Sequence, residues 1–187
     1  MAVLAVGGAF LARGPIGLGN GPVLVASYAS ESVPDNNRAP MAIILPVLST
    51  SHDEAVIDSV ELIGNAGNPA PRMFALRAMK PNFCLGMNPL RQSQRGLVPS
   101  GCQAQMLGPL AGQRIGYAPT RQQVDAVIEV GPPPPGSCWA LSAVVVHYHV
   151  GIRHWSATGP GAEAACSGVS QDRLDQARNE AAGAAPR

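Results

Sequence analysis

The sequence predicts an all-β protein built as an antiparallel sandwich. Three observations predict this class. Several short segments alternate apolar and polar residues, which is the pattern of half-buried strands. The 187 residues include 21 glycines and 18 prolines, and this density favours turns over long helices. No convincing helical pattern stands against these signals, so we expect about six to eight short strands joined by turn-rich connections.

The chain begins with an apolar run, MAVLAVGGAFLA, that ends at Arg13. The run is too short for a membrane-spanning helix, which needs about 20 residues, but it has the size of a signal-peptide apolar region. Ser27-Tyr28-Ala29 offers a small-x-small cleavage pattern. We therefore predict that residues 1–39 are a signal or anchor remnant followed by a Gly/Pro-rich tether. The alternative is an apolar N-terminal strand of a cytosolic protein.

Residues 40–166 are predicted to form the β-domain. Its first strand is expected over Met41–Leu48, with Pro46 at an edge or a bulge because proline cannot donate to the sheet ladder. Ala55–Ile63 (AVIDSVELI) is predicted to be a half-buried strand. Its two alternating sets are Val56, Val60 and Leu62 against Ile57, Ser59 and Glu61. A short strand over Met73–Met79 follows.

The segment from residue 80 to residue 120 is rich in Pro, Gly, Gln and Asn, and it is predicted to be a long loop. Such a loop is unusual in a compact domain unless it is stapled or functional. Cys84 and Cys102 could supply the staple. The next strand is expected over Gln123–Val130, and the prolines after it predict a stiff connector.

The strongest strand signal lies in Ala143–Val150, which is dense in β-branched and aromatic residues. One strand from Cys138 to Trp155 would be about 59 Å long at ~3.3 Å per residue, so the chain must reverse. Glycine at the first of two turn residues is the type II′ hairpin signal, and Gly151-Ile152 fits it. The resulting register sorts Val144, Val146, Tyr148, Val150 and Trp155 onto one face and His147, His149, His154 and Ser156 onto the other.

Four cysteines without a C-x-x-C motif favour two disulfides over a zinc knot or a redox motif. Three pairings are possible, and we favour Cys84–Cys102 with Cys138–Cys166 because both close local loops. Each bond would stabilise the fold by about 2–4 kcal/mol. Disulfides persist in oxidising compartments, so the cysteines predict an extracytoplasmic protein. A cytosolic protein would instead carry four free thiols.

Residues 167–187 are predicted to form a flexible tail. The segment contains helix-forming residues, but Val169 and Leu174 are its only large apolar ones. We expect it to bury no face and to be a frayed helix or disordered.

The AVIDSVELI strand, the QVDAVIEV strand and the closing VVVHYHVGIRHW hairpin together resemble a family of bacterial membrane-anchored or secreted proteins with one immunoglobulin-like β-sandwich. The resemblance spans residues 40–166. It implies an antiparallel immunoglobulin-like sandwich, here with long disulfide-stapled loops, in a protein that is secreted or anchored by its N-terminus. The family pattern needs none of the histidines, which implies no shared catalytic site.

His147, His149 and His154 are candidate metal ligands. Two histidines at i and i+2 point the same way from a strand, and a third on the neighbouring strand completes a three-nitrogen face with an open position. Zinc enzymes and copper proteins use such faces. The alternative is a solvated sheet face without a special role, because no carboxylate is visible to orient the imidazoles. By simple alternation, Asp58 and Glu61 fall on opposite faces of their strand.

The net charge is +1 and there is no basic block, which argues against nucleic acid or an anionic membrane surface as a partner. No G-x-S-x-G elbow and no phosphate-binding glycine loop are present. The sequence therefore favours a non-enzymatic, extracytoplasmic interaction or accessory module of the cell envelope, with another envelope protein as partner, no cofactor, and membrane contact only through the N-terminus. The alternative is a β-domain that binds zinc or copper at the three histidines, a ligand set that also serves hydrolysis.

Overall fold

The computed structural model describes residues 16–18, 21–26, 41–64, 72–78, 86–93, 96–99, 104–117 and 124–184. Within these residues the chain forms twelve strands and one helix. All pairings between these strands are antiparallel. The predicted all-β, antiparallel class is therefore confirmed.

The strands form two sheets. They are β1 (Ile16–Leu18), β2 (Val23–Ala26), β3 (Met41–Ser49), β4 (Ala55–Ile63), β5 (Arg72–Ala78), β6 (Gly86–Ser93), β7 (Gly96–Pro99), β8 (Ala104–Pro109), β9 (Arg114–Ile115), β10 (Val124–Val130), β11 (Ser137–Val150) and β12 (Arg153–Ser167). The eight-stranded sheet has the order β1-β2-β3-β10-β5-β8, with β6 paired to β3 and β7 paired to β6. The four-stranded sheet has the order β12-β11-β4-β9.

One hydrophobic core lies between the two sheets. The eight-stranded sheet contributes residues such as Ile43 and Ile128, and the four-stranded sheet contributes Trp139 and Tyr148, the largest of the fully buried side chains. Full burial of an aliphatic side chain such as Ile43 or Ile128 stabilises the fold by about 1.5–3 kcal/mol. This burial determines the register of β11, because a shift by one residue would exchange the buried and exposed faces of the strand.

The closing hairpin has the predicted register. Gly151 has a φ of 59°, which suits the first central residue of a two-residue hairpin turn. His149 lies opposite His154, and Tyr148 lies opposite Trp155. The predicted Cys138–Cys166 disulfide is present and joins directly opposed residues at the other end of the hairpin. It links neighbouring strands of one sheet, whereas the disulfide of antibody domains joins two sheets. The predicted Cys84–Cys102 bond lies outside the described residues.

The prediction of a long loop over residues 80–120 is wrong for the described part of that segment, which contains β6 to β9. These strands are short or interrupted by proline and glycine, so their sequences lack the alternation that marks a half-buried strand.

Pro46 was expected at an edge or a bulge, but it lies in β3 opposite Asp125 of β10. On the other side of β3, β6 pairs up to Ile44 and β2 pairs from Val47. Pro46 therefore lies between these two pairings, where the ladder needs no donor.

The N-terminal part of the chain contributes to the core. Val23 and Val25 of β2 are fully buried, although the sequence assigned them to a tether. The backbone N–H of Val23 donates to the Tyr148 hydroxyl at 3.3 Å. A Cβ atom at Gly21 would collide with that hydroxyl and with the Trp155 indole. Glycine is therefore required here by the close approach of the chain to the hairpin.

Helix α1 (Gln171–Gly183) follows β12. The Ser170 hydroxyl caps its start by accepting a hydrogen bond from the Arg173 N–H. Leu174 and Ala177 are buried against Ala164, Cys166 and neighbouring small residues of the hairpin. The prediction that this segment buries no face is wrong, because a narrow stripe of one leucine and two alanines is enough to cover a surface of small side chains. No helix in the described residues is long and apolar enough to cross a membrane.

Candidate metal site

The site depends on a β-bulge in β4. In the pairing of β4 with β11, His147 lies opposite Ser59 but the next residue, Tyr148, lies opposite Ile57. Asp58 is therefore an extra residue without a direct partner in the ladder. A bulge of this kind lets two successive side chains point to the same side of a sheet. Asp58 and Ser59 are both exposed as a result.

The bulge corrects the predicted alternation of β4. Ala55 and Ile57 face the core before the bulge, and Val60 and Leu62 pack against the same core after it. The sequence had grouped Ile57 with the opposite set. Because the bulge resets the alternation, Asp58 lies on the same solvent-facing side as the exposed Glu61. The expectation that simple alternation separates these two carboxylates is therefore wrong.

Asp58 bridges two histidines of the hairpin. Its Oδ1 atom lies 2.6 Å from Nδ1 of His149, and its Oδ2 atom lies 3.2 Å from Nδ1 of His154. The two imidazole rings face each other across the hairpin with centroids 5.5 Å apart and a tilt of 49°. Potential ligand atoms of the three residues all lie within 4.8 Å of one another.

These separations are close to those of a metal centre. Two imidazoles on one tetrahedral ion, each bound at about 2.0–2.1 Å, have ring centroids about 5 Å apart and ligand atoms about 3.3 Å apart. The His149 and His154 rings already have nearly this spacing. The contact of Asp58 with His154, at 3.2 Å, matches it as well, whereas the 2.6 Å contact with His149 has to lengthen by about 0.7 Å. The three donor atoms, which lie within 4.8 Å of one another, would have to approach this 3.3 Å spacing by side-chain rotation.

The hydrogen bonds define the protonation of the metal-free cluster. Partial burial tends to raise the pKa of Asp58, but hydrogen bonds from His149 and His154 outweigh this effect and lower the pKa below its ordinary value. An ionised carboxylate can only accept hydrogen bonds. Both Nδ1 atoms therefore carry a proton in this arrangement. A metal ion that binds at Nδ1 must displace this proton, which a neutral imidazole then carries on Nε2 instead.

The cluster is open to solvent. About a third of the side-chain surface of Asp58 and His149 is exposed, at 34% and 31%, while 75% of the His154 side chain is exposed. A metal ion can therefore reach the three donors without any strand moving. The positions of the donors are nevertheless fixed, because the residues between them in β4, β11 and β12 are anchored in the core.

The structure brings two of the three predicted histidines together. His147 lies on the same face as His149, but its Nε2 atom is 3.7 Å from the Oε2 atom of Glu61. It is not one of the residues whose donor atoms converge with Asp58. Ser156 lies opposite His147 in the register. The predicted polar face is therefore present, but the cluster on it contains Asp58 in place of His147.

Sequence reasoning missed Asp58. The signal that could have found it is the adjacent polar pair Asp58-Ser59 between Ile57 and Val60. Two polar residues in the middle of an otherwise alternating strand indicate a local change of register, as a bulge provides. Comparison of the chain with protein-family models, curated proteins and solved structures found no match.

Proposed function

We propose that this chain is an exported β-domain that binds one divalent transition-metal ion through Asp58, His149 and His154. One observation carries the proposal: a carboxylate and two imidazoles converge at near-coordination distances on three paired strands. A bulge brings Asp58 to this position, and a bulge weakens the ladder where it occurs. The geometry is therefore one that the strand register alone would not produce.

The donor set suggests which ions would bind. Imidazole nitrogens suit zinc(II), copper(II), nickel(II) and iron(II), whereas calcium and magnesium prefer sites made of oxygen. No thiolate or thioether belongs to the cluster of Asp58, His149 and His154, and such soft ligands are the ones that favour copper(I). The expected order of affinity places copper(II) above zinc(II).

The competing explanation is a surface ion pair without a metal. Exposed pairs of this kind contribute about 0–1 kcal/mol to stability, and two hydrogen bonds to one carboxylate by themselves bring His149 and His154 together. The ring spacing is what favours the metal, because centroids 5.5 Å apart are close to the separation of two imidazoles on one ion.

The setting that we propose for this site is the bacterial cell envelope. The Cys138–Cys166 disulfide fits an oxidising compartment, and two antiparallel sheets around one core are compatible with an immunoglobulin-like sandwich. We infer a non-enzymatic accessory module that works with another envelope protein. The N-terminal signal or anchor stays a prediction, since residues 1–15 lie outside the described residues.

The decisive experiment is metal binding by the full chain, purified without a histidine tag. We expect isothermal titration with zinc(II) and copper(II) to give one ion per chain. Asp58→Asn and His154→Ala each remove one ligand, and we expect each to weaken binding by at least about 10- to 100-fold, which is the cost of losing only an outer-shell partner of a ligand. His52→Ala is the matched control, because His52 is exposed, its ring contacts that of Tyr117, and it is not part of the cluster.

Two results would contradict the proposal. One is the absence of stoichiometric binding by the parent protein. The other is binding that is unchanged in Asp58→Asn, since the carboxylate would then have no part in the site. A loss of binding in His147→Ala that equals the loss in His154→Ala would instead favour the three-histidine set predicted from the sequence.

A further inference from the structure

We propose that the ion held by Asp58, His149 and His154 binds an external carboxylate, supplied by an acidic peptide segment of a partner protein. This inference rests on the metal-binding function proposed above and adds the chemistry of what the loaded site recognises. It joins the metal site to the interaction role, since the ion would be the point of contact with the partner.

The first step is the ligand count. Within the described residues, one carboxylate and two imidazoles converge. Zinc in a tetrahedral site takes four ligands, and sites with three protein ligands leave the fourth position to water or to another molecule. The neighbouring carboxylate of Glu61 lies beside His147. The geometry therefore leaves at least one coordination position for a donor from outside the cluster.

The second step is charge. A divalent ion bound to one aspartate and two neutral imidazoles has a local charge of +1. In the strand register, His149 lies opposite Val56, and His147 lies opposite Ser59 and Ser156. These three neighbours are uncharged, and the carboxylate on the same face, that of Glu61, lies 3.7 Å from Nε2 of His147 and outside the cluster. An anionic oxygen is thus a better fourth ligand than a neutral donor, because it neutralises the site.

The third step is the surface beside the ion. Ile152 occupies the hairpin turn between His149 and His154 in the sequence, and its side chain is 94% exposed. Among the residues whose side chains the structure describes, it is the one large apolar side chain that is exposed. A small acid such as acetate can contact the metal alone. A peptide can place an apolar side chain on Ile152 while its carboxylate binds the ion, and this second contact favours a peptide over a free acid.

The test uses the full chain loaded with cobalt(II), whose visible absorption reports the coordination sphere. Three probes are titrated: acetate, a capped tetrapeptide with one aspartate next to one leucine, and the same peptide with asparagine in place of aspartate. We expect both carboxylates to change the cobalt bands and the asparagine peptide to leave them unchanged. The acidic peptide should bind about 5- to 30-fold more tightly than acetate, less than the about 10- to 150-fold that full burial of an aliphatic side chain supplies, because a contact on the exposed Ile152 buries only part of it.

The variant Ile152→Ser separates the two contacts. We expect the tetrapeptide to lose its advantage over acetate in this variant, while the response to acetate stays. Gln176→Ala, on the exposed side of α1, is the control and should retain the advantage. Cobalt bands that respond to neither carboxylate would overturn the inference, and so would a peptide that binds no better than acetate. Cobalt bands that never form would refute the metal-binding proposal itself.

Discussion

Deleting Ser59 should remove the β-bulge and disconnect Asp58 from the metal site. With one residue fewer, β4 can pair with β11 without interruption, and Asp58 takes the register position opposite His147. Ile57 and Val60 then lie two positions apart, so both keep their orientation toward the core. The fold should survive the deletion.

The loss of metal affinity follows from the geometry. In the parent protein, the Oδ1 atom of Asp58 lies 2.6 Å from Nδ1 of His149. In a regular ladder, a residue opposite His147 is a diagonal neighbour of His149, with about 7–8 Å between the two positions. Asp58 could reach His149 only with both side chains extended along this diagonal, and it would then no longer contact His154 as well. We expect zinc affinity to fall by at least about 10- to 100-fold, which is the cost of losing only an outer-shell partner of a ligand.

The assay is isothermal titration with zinc(II), combined with chemical denaturation to establish that the deletion variant folds. Deletion of Asp58 itself is the matched control, because it also removes the bulge but takes away the carboxylate. The two deletions should bind zinc equally weakly. A Ser59 deletion that folds and keeps the affinity of the parent would refute the reasoning, since the bulge would then not be what positions the carboxylate.

Three further predictions concern stability. Leu174→Ala should lower the free energy of unfolding by about 2–4 kcal/mol in chemical denaturation, because Leu174 lies on the buried face of α1. Asn179 is exposed, and Asn179→Ala should change the free energy of unfolding by less than about 0.5 kcal/mol. Equal effects of the two substitutions would contradict the packing of the helix. Replacing Cys138 and Cys166 together with serine should cost about 3–4 kcal/mol, the loop entropy for a sequence separation of 28 residues, and an unchanged unfolding midpoint under non-reducing conditions would contradict this. In the metal-free protein, the hydrogen bonds that lower the pKa of Asp58 also stabilise the folded state. This stabilisation is fully present at pH values above the ordinary pKa of about 3.9. It is lost as the pH falls through the lower pKa of the folded state. Asp58→Asn should flatten this part of the pH profile of stability, and an identical profile would argue against the two hydrogen bonds.

The hairpin was predictable from the sequence because two independent constraints agree there. The alternation of apolar residues in β11 defines the buried face, and Gly151 supplies the positive φ that the turn needs. The register of His149 and His154 follows from these two facts. The ladder partner of the histidines in β4 was not predictable in the same way, because a bulge adds one residue without a strong sequence signal.

The packing of helix α1 escaped prediction for a different reason. Its apolar stripe contains Leu174 and two alanines, which an amphipathic pattern scores weakly. The stripe is sufficient because the surface under it, at Ala140 and Ala164, is also made of small side chains. Complementarity between two surfaces is a tertiary property, and the sequence of one segment does not contain it. The same applies to β6 and β7, which pair with each other and through β6 with β3.

The outer face of the four-stranded sheet is covered at one end and open to solvent at the other. At the disulfide end, α1 covers β11 and β12, and at the turn end the same two strands present His149 and His154 to solvent. The inner face under the turn end is held by Tyr148 and Val146, which are fully buried. Because the core already fixes the backbone of the ligands, metal binding orders little of the chain and its free energy goes mainly into coordination. The protein should therefore fold without metal, unlike small zinc domains whose folding depends on the ion. Bound metal should raise the free energy of unfolding only by mass action, which gives about 2.7 kcal/mol when the free metal concentration is 100 times the dissociation constant.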